Sequence, residues 1–203
     1  MSNVPETARF PALVASGMRN RHDDTRLRAL VDHHVDLASR IIRNLGIPDC
    51  DVDDLLQQAF SITADRLGDI TPGKERAFLI QTAIRLAASA RRAYARSRET
   101  LTGELPEVSD GRPTPEELSD QAQTMKMLDR VMADMDLDLR AVFVLYEIEE
   151  VTMAEIATVL QIPPGTVASR LRRAREDFLA RVRRLGVAEP MSQVTRPEKG
   201  RLP

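Results

Sequence analysis

The chain has 203 residues, with 29 Lys and Arg against 31 Asp and Glu, a formal charge of −2. That length suits one ordinary domain or two small ones, and the near balance of charge excludes a protein that coats nucleic acid through bulk charge, so any DNA contact has to come from local patches. Aromatic residues make up 3% of the chain and Trp is absent, while Leu, Ala and Arg dominate, a composition that favours an all-α fold over β-sandwiches or barrels.

Residues 1–29 are weakly patterned and read as an N-terminal extension. Leu30, Val31, His34, Leu37, Ala38, Ile41, Ile42 and Leu45 then recur at helical spacing until Gly46 and Pro48 stop the pattern. A second helix is expected after Asp51 as N-cap, burying Val52, Leu55, Leu56, Ala59, Phe60 and Thr63. Asp54, Gln57 and Ser61 fall on its opposite face, with Asp53 and Gln58 beside them. Past Pro72 and Gly73, a third helix is expected from about Glu75 to Arg98, with Leu79, Ile80, Ala83, Leu86, Ala87, Ala90 and Tyr94 facing inward.

Charge divides the rest of the chain. Residues 30–98 carry 10 basic and 9 acidic side chains, residues 99–124 carry 1 and 7, and residues 125–186 carry 10 and 10. The acidic stretch also holds Gly103, Pro106, Gly111, Pro113 and Pro115 without helical periodicity, so residues 99–121 read as a flexible linker between domains at 30–98 and 122–186. Residues 187–203 read as a tail.

In the second block, Thr152 and Glu155 make a T-x-x-E capping box for a short helix. Pro163, Pro164 and Gly165 break it, and a further helix repeats Val167, Leu171, Ala174, Phe178 and Val182 on one stripe. Ser169, Arg172 and Arg173 point away from that stripe, flanked by Thr166, Ala168, Arg170 and Arg175. Residues 166–184 hold seven arginines against Glu176 and Asp177. An amphipathic helix with a solvated arginine face would show the same stripe. The capped helix and tight turn before it point instead to a DNA-binding helix-turn-helix, whose second helix enters the major groove N-terminus first. Arg suits that task because its planar fork donates to O6 and N7 of guanine, and at a groove edge the same charge neutralises phosphate.

The segment Leu128 to Arg184, centred on EIATVLQIPPGTVASRLRRAR, resembles region 4 of the extracytoplasmic-function (ECF) sigma factors of bacterial RNA polymerase. VDDLLQQAF at Val52 to Phe60 resembles the family's region 2 string AEDLVQEVF, and FLIQTAIRLAASARR at Phe78 to Arg92 is similar to its WL-xx-IA-x-N-xxx-D-xx-RR helix. The chain departs from the pattern at Phe78, Arg85, Ser89, Pro163 and Ala168, where the family has Trp, Asn, Asp, Ser and often a basic residue. The promoter sequence therefore does not carry over from relatives.

The resemblance implies two small helical domains, a region 2 bundle and a region 4 helix-turn-helix, in a promoter-specificity subunit without catalytic activity. Asp53, Asp54, Gln57, Gln58 and Ser61 would bind core RNA polymerase, a stripe that residues alone would equally assign to an ordinary solvated helix face. Arg85, Ser89, Arg91, Arg92 and Arg96 would engage the minus-10 element beside a base-capturing loop at about Leu67 to Lys74. Thr166, Ala168, Ser169, Arg170, Arg172 and Arg173 would engage the minus-35 element. The partners implied are core RNA polymerase, promoter DNA and an anti-sigma factor. A decoy that occupies an anti-sigma factor, or a free-standing helix-turn-helix regulator, are the alternative readings.

No Gly-rich phosphate loop, nucleophile-base pair or metal cluster is apparent, so no enzyme activity, cofactor or metal is expected. Cys50 has no second cysteine to pair with, and His22, His33 and His34 lack partners at metal-ligand spacing. No apolar run approaches the roughly 18–20 residues that span a bilayer, and Met1 to Phe10 is no signal peptide, so the protein is expected in the cytoplasm without inserting in the membrane.

As a coil, the 23-residue linker would average about 26 Å, against at most about 76–83 Å extended. Promoter elements one to two helical turns apart lie on the order of 35–70 Å from each other, so both domains can engage together only on a stretched linker. The resemblance threads that linker through the polymerase cleft, where Glu104, Glu107, Asp110, Glu116 and Glu117 would occupy the RNA path. Neutralising these five is expected to change the yield of abortive transcripts; unchanged abortive synthesis and promoter escape would refute the assignment.

Overall fold

A computed structural model describes residues 21–100 and 127–185. The linker carboxylates, the N-terminal segment up to residue 20 and the tail from residue 186 lie outside the described residues. Three long helices come first: α1 (Arg21–Asn44), α2 (Asp49–Asp65) and α3 (Glu75–Thr100), each packed on the other two. Residues 127–132 are helical (α4). Then come α5 (Leu137–Phe143), a π-helical turn at Val144–Ile148, α6 (Met153–Leu160) and α7 (Pro164–Arg184).

α1 starts at Arg21, nine residues before the periodicity at Leu30 suggested. The early turns are charged, yet Leu27 is 2% exposed and extends the buried stripe of Leu30, Val31, Val35, Ala38, Ile41 and Ile42. Arg26 explains why a polar turn is held there. Its guanidinium donates to Glu75 Oε1 at 2.6 Å and to the carbonyls of Leu67 and Ile70 at 3.3 and 2.9 Å. Gly46 ends the helix at φ +86, the left-handed region that only glycine enters without strain, with its N–H on Arg43 O at 2.8 Å.

α2 begins at Asp49 after Pro48, which offers no side-chain cap, rather than after Asp51. Asp49 and Asp51 both sit in its first turn, where carboxylates favour the positive end of the helix dipole. On α3, Leu79, Ile80, Ala83 and Ala87 are buried as the spacing implied, but Tyr94 is 38% exposed. Its hydroxyl donates to the Asp51 carboxylate, which pushes the phenol up to about 12.

The core of this bundle does not stop at the acidic segment. Phe60, Leu45, Leu79 and Ile80 belong to the same buried apolar cluster as Val142, Leu145, Val151, Ile156, Val159, Val167 and Leu171 of the second block. α6 packs on α3, and the π-turn touches α1. A smaller cluster of Met132, Phe143, Val144 and Ala174 sits under the outer part of α7, where Phe178 stacks on Phe143 with ring centres 4.8 Å apart. Because the large cluster is shared, Phe60→Ala and Leu171→Ala, each costing about 2–5 kcal/mol, are expected to lower the midpoint of one common urea transition. Two separable transitions, each moved by one substitution, would contradict a shared core.

Candidate nucleic-acid and polymerase interfaces

The helix-turn-helix is built by local chemistry at both of its corners. Thr152 Oγ1 accepts from Glu155 N at 3.3 Å, and Glu155 Oε2 accepts from Thr152 N at 3.1 Å and from its hydroxyl at 2.8 Å, so the capping box is closed in both directions. Gln161 ends α6 in the left-handed conformation at φ 55, and Ile162 N donates back to Ala157 O at 3.1 Å. Pro163 caps α7, and Pro164 opens it, its fixed φ and missing N–H costing nothing at a first helical position. The prolines therefore start the recognition helix as much as they stop α6.

Burial of Val167, Leu171, Ala174 and Val182 fixes the rotation of α7. Ala168, Ser169, Arg172 and Arg173 are exposed as a result, and Thr166 and Arg170 lie half-buried at the edge. Their charges are not equally available. Arg170 reaches Asp138 of α5 at 2.7 Å, and Arg172 pairs with Glu176 one turn on at 2.7 Å. Arg173 has no partner among the described residues. The Arg172 pair is solvent-facing on both sides, the kind worth at most about 1 kcal/mol, so it yields readily to a phosphate or base.

The π-turn is a feature the sequence did not reveal. Its extra residue turns Glu147 and Tyr146 toward α7, where Arg175 reaches Glu147 at 2.6 Å and lies 5.4 Å from the Tyr146 ring centre. Just beyond it, Glu149 accepts from Arg40 of α1 at 2.8 Å. A helical period of 3.6 residues gives no warning of such a turn, because Ala141 to Leu145 are buried in an unbroken run that carries no helical phase.

On α3, Arg85, Ser89, Arg92 and Arg96 are exposed along one stripe, as their spacing implied. Arg85 lies 3.4 Å from Gln161 Oε1 just past α6, and Arg76, nine residues earlier, reaches Glu155 at 3.0 Å. Arg91 leaves the stripe. Half-buried, it donates to Leu45 O at 2.8 Å and Ala133 O at 3.1 Å, and burial pushes its pKa down. The loop Leu67 to Lys74 is pinned by buried Leu67 and Ile70 and by the Arg26 contacts, leaving Gly68, Asp69 and Thr71 to Lys74 exposed. Reading residues 1–29 as an extension hid that brace.

On α2, Asp53, Asp54, Gln57, Gln58 and Ser61 are all exposed, opposite buried Val52, Leu56, Ala59 and Phe60. Ile62 joins them at 37% exposure, giving the polar stripe an apolar neighbour. No described helix is long and apolar enough to cross a membrane, and no group of three or more His, Cys, Asp or Glu among the described residues is placed to hold a metal ion.

Residues 125–178 match the family model for sigma-70, region 4. The chain is 31% identical over 144 residues to the ECF RNA polymerase sigma-E factor of Escherichia coli (strain K12), covering 64% of this chain and 73% of that protein. It is 28% identical over 156 residues to the ECF RNA polymerase sigma factor SigE of Mycolicibacterium smegmatis, covering 75% of this chain and 61% of that longer relative, which it thus spans by less than two thirds. Among solved structures, CnrH in complex with the cytosolic domain of CnrY shares the fold with a TM-score of 0.61 at 20% identity, over 89% of this chain and 99% of that one. The sigma factor RpoE in complex with the anti-sigma factor NepR from Bartonella quintana gives 0.59 at 18% identity, over 82% and 99%.

The Thr152 hydroxyl, the Thr152 N–H and Arg76 together hold the Glu155 carboxyl below its usual range. A depressed carboxyl stabilises the fold fully above its unfolded value, about 4.3, and the contribution is lost as pH falls through the lowered folded value. Glu155→Gln is therefore expected to remove part of the stability loss measured by urea titrations on lowering pH from 5 to 3; an unchanged acid limb would show that the carboxylate is not engaged.

Proposed function

Because the chain belongs to the ECF sigma factors of bacterial RNA polymerase, we propose that it binds core RNA polymerase and directs transcription initiation by recognising minus-10 and minus-35 promoter elements. The observation that carries this reading is the arginine-rich outer face of α7, rotated outward by its buried stripe and preceded by a capped helix and a tight turn.

In this reading Arg173 and Arg172, with Ser169, Ala168 and Thr166, face the minus-35 major groove, and Arg170 is oriented by Asp138 to the groove edge. Arg85, Ser89, Arg92 and Arg96 track the minus-10 strand, and the exposed part of the loop Leu67 to Lys74 receives an unstacked base. That loop contains no aromatic residue to stack on it, so capture relies on hydrogen bonds and backbone shape. Asp53, Asp54, Gln57, Gln58 and Ser61 dock the polymerase, with Asp54 and Gln57 at the centre of the contact.

The protein works in the cytoplasm, where promoters and polymerase are, and performs no catalysis itself: bond formation belongs to the polymerase. An anti-sigma factor is its expected partner: the RpoE of Bartonella quintana, which it resembles in fold, forms a complex with the anti-sigma factor NepR.

Promoter-library transcription with variant proteins tests the assignment. Arg173→Ala is expected to cost about 1–3 kcal/mol and to relax preference at one minus-35 position, whereas Asp54→Ala with Gln57→Ala should weaken core binding without changing which promoters are preferred. A uniform loss across all promoters for Arg173→Ala would make it a phosphate contact. A change of promoter preference on altering Asp54 and Gln57 would remove them from the polymerase interface.

A further inference from the structure

Arg26 sits in the second turn of α1, outside every stripe assigned above to DNA or polymerase, yet its guanidinium reaches both ends of the loop between α2 and α3. All three of its nitrogens are engaged. Nε and Nη2 donate to Glu75 Oε1 at 2.9 and 2.6 Å, and Nη2 also donates to Ile70 O at 2.9 Å. Nη1 donates to Leu67 O at 3.3 Å and to Asp23 Oδ1 of its own helix at 3.4 Å. One planar fork therefore gathers the exit of α2, the middle of the loop and the first residue of α3. Lysine, with its single compact ammonium, cannot span these acceptors in the same way.

Filling the core does not call for this arrangement. Leu67 and Ile70 are already 1% and 8% exposed, which anchors their side chains. A charge pair with both side chains only 15% exposed stabilises a fold little relative to an apolar pair of the same shape. What the guanidinium adds is the orientation of two carbonyls. Leu67 O also accepts from Ile70 N, at a long 3.3 Å. With Leu67 O and Ile70 O both drawn onto Arg26, the peptides between them are held in one orientation, and Gly68 and Asp69 stand exposed between two fixed points. Beyond Ile70, Lys74 N donates to Thr71 O at 3.0 Å and Gly73 takes φ +85, forming a second turn that ends on Glu75. A Cβ at Gly68 or Gly73 would meet nothing within 4 Å, so both turns face open space.

Without an aromatic residue, this loop has no platform on which an unstacked base settles by stacking. Recognition by hydrogen bonds and backbone shape needs its groups in place before the base arrives, because ordering a loop on binding subtracts from affinity. We infer that Arg26 is a positioning residue for base capture: through Leu67 O, Ile70 O and Glu75 it holds the Leu67 to Lys74 loop preformed for an unstacked minus-10 base, without touching DNA itself. The inference rests on the function proposed above and adds to it a residue that lies before the first patterned helix of the sequence.

Arg26→Lys in the full-length protein, assembled with core polymerase, tests this on promoters varied across both elements. The promoters are supplied as duplexes and with the minus-10 region already opened by mismatches. The unmodified protein should prefer one base at the captured minus-10 position by about tenfold on both templates. Arg26→Lys should remove most of that preference on both, since opening the strands does not restore the loop, and should leave minus-35 preference and core affinity within about twofold. Amide exchange at Asp69, Ile70 and Lys74 of the free variant should speed up about tenfold. If Arg26→Lys leaves the chain partly unfolded, Glu75→Gln, which weakens one of the three attachments, is expected to give the same selective loss to a smaller extent. Faster exchange with every minus-10 preference unchanged would make Arg26 a brace for stability alone and overturn the inference, as would a loss shared equally by both elements. Absence of core-dependent start sites for the unmodified protein would refute the function and the capture role with it; that failure is told apart by the exchange difference, which needs no polymerase.

Discussion

An apolar core that runs uninterrupted from α1, α2 and α3 into α5, α6 and α7 is the constraint on which the remaining geometry depends. Phe60, Leu79 and Leu171 share that core across the two halves of the chain. Packing within each half turns the polar stripe of α2 outward and rotates α7 so that its arginines face away. The meeting of the halves brings α6 down on α3 and the π-turn against α1. Surface charge then follows from packing: wherever the halves touch, an arginine is matched by a carboxylate or a carbonyl, as at Arg40 with Glu149, Arg76 with Glu155, and Arg91 with Ala133.

On the proposed function, this division of labour lets a protein with a net charge near zero address DNA. The arginines fall into two populations that composition does not separate. Arg26, Arg91, Arg140 and Arg175 hold the structure, satisfying carbonyls or bracing loops. Arg92 and Arg173 stand exposed on the outer faces. On the proposed function, the arginines of the first population are not available to phosphate, so the electrostatic footprint on DNA is smaller than the arginine count suggests.

Much of this was legible in the sequence wherever a single helix buries a single stripe. The spacing of Val167, Leu171, Ala174 and Val182, the Thr152–Glu155 box and the alternation of Val52, Leu56, Ala59 and Phe60 with Asp53, Asp54 and Gln57 each give the element and its outward face. What escaped depends on residues far apart in the chain. Arg26 reads as part of a charged, unpatterned start because its partners, Leu67, Ile70 and Glu75, lie more than forty positions away. Arg91 shares a basic run with Arg92, and nothing local tells which of the two meets Leu45 and Ala133. The π-turn lies at the end of the unbroken buried run Ala141 to Leu145, which carries no phase, and shows only once Glu147 and Tyr146 are seen on Arg175.

The central claim, that this chain supplies promoter specificity to RNA polymerase, is met most directly by mixing purified protein with core polymerase and fragmented genomic DNA and sequencing the 5′ ends of the transcripts. The account predicts discrete new start sites that share two upstream motifs and disappear when the protein is omitted. Transcripts with no common upstream motif, or no transcripts despite a stable complex with core, would contradict it.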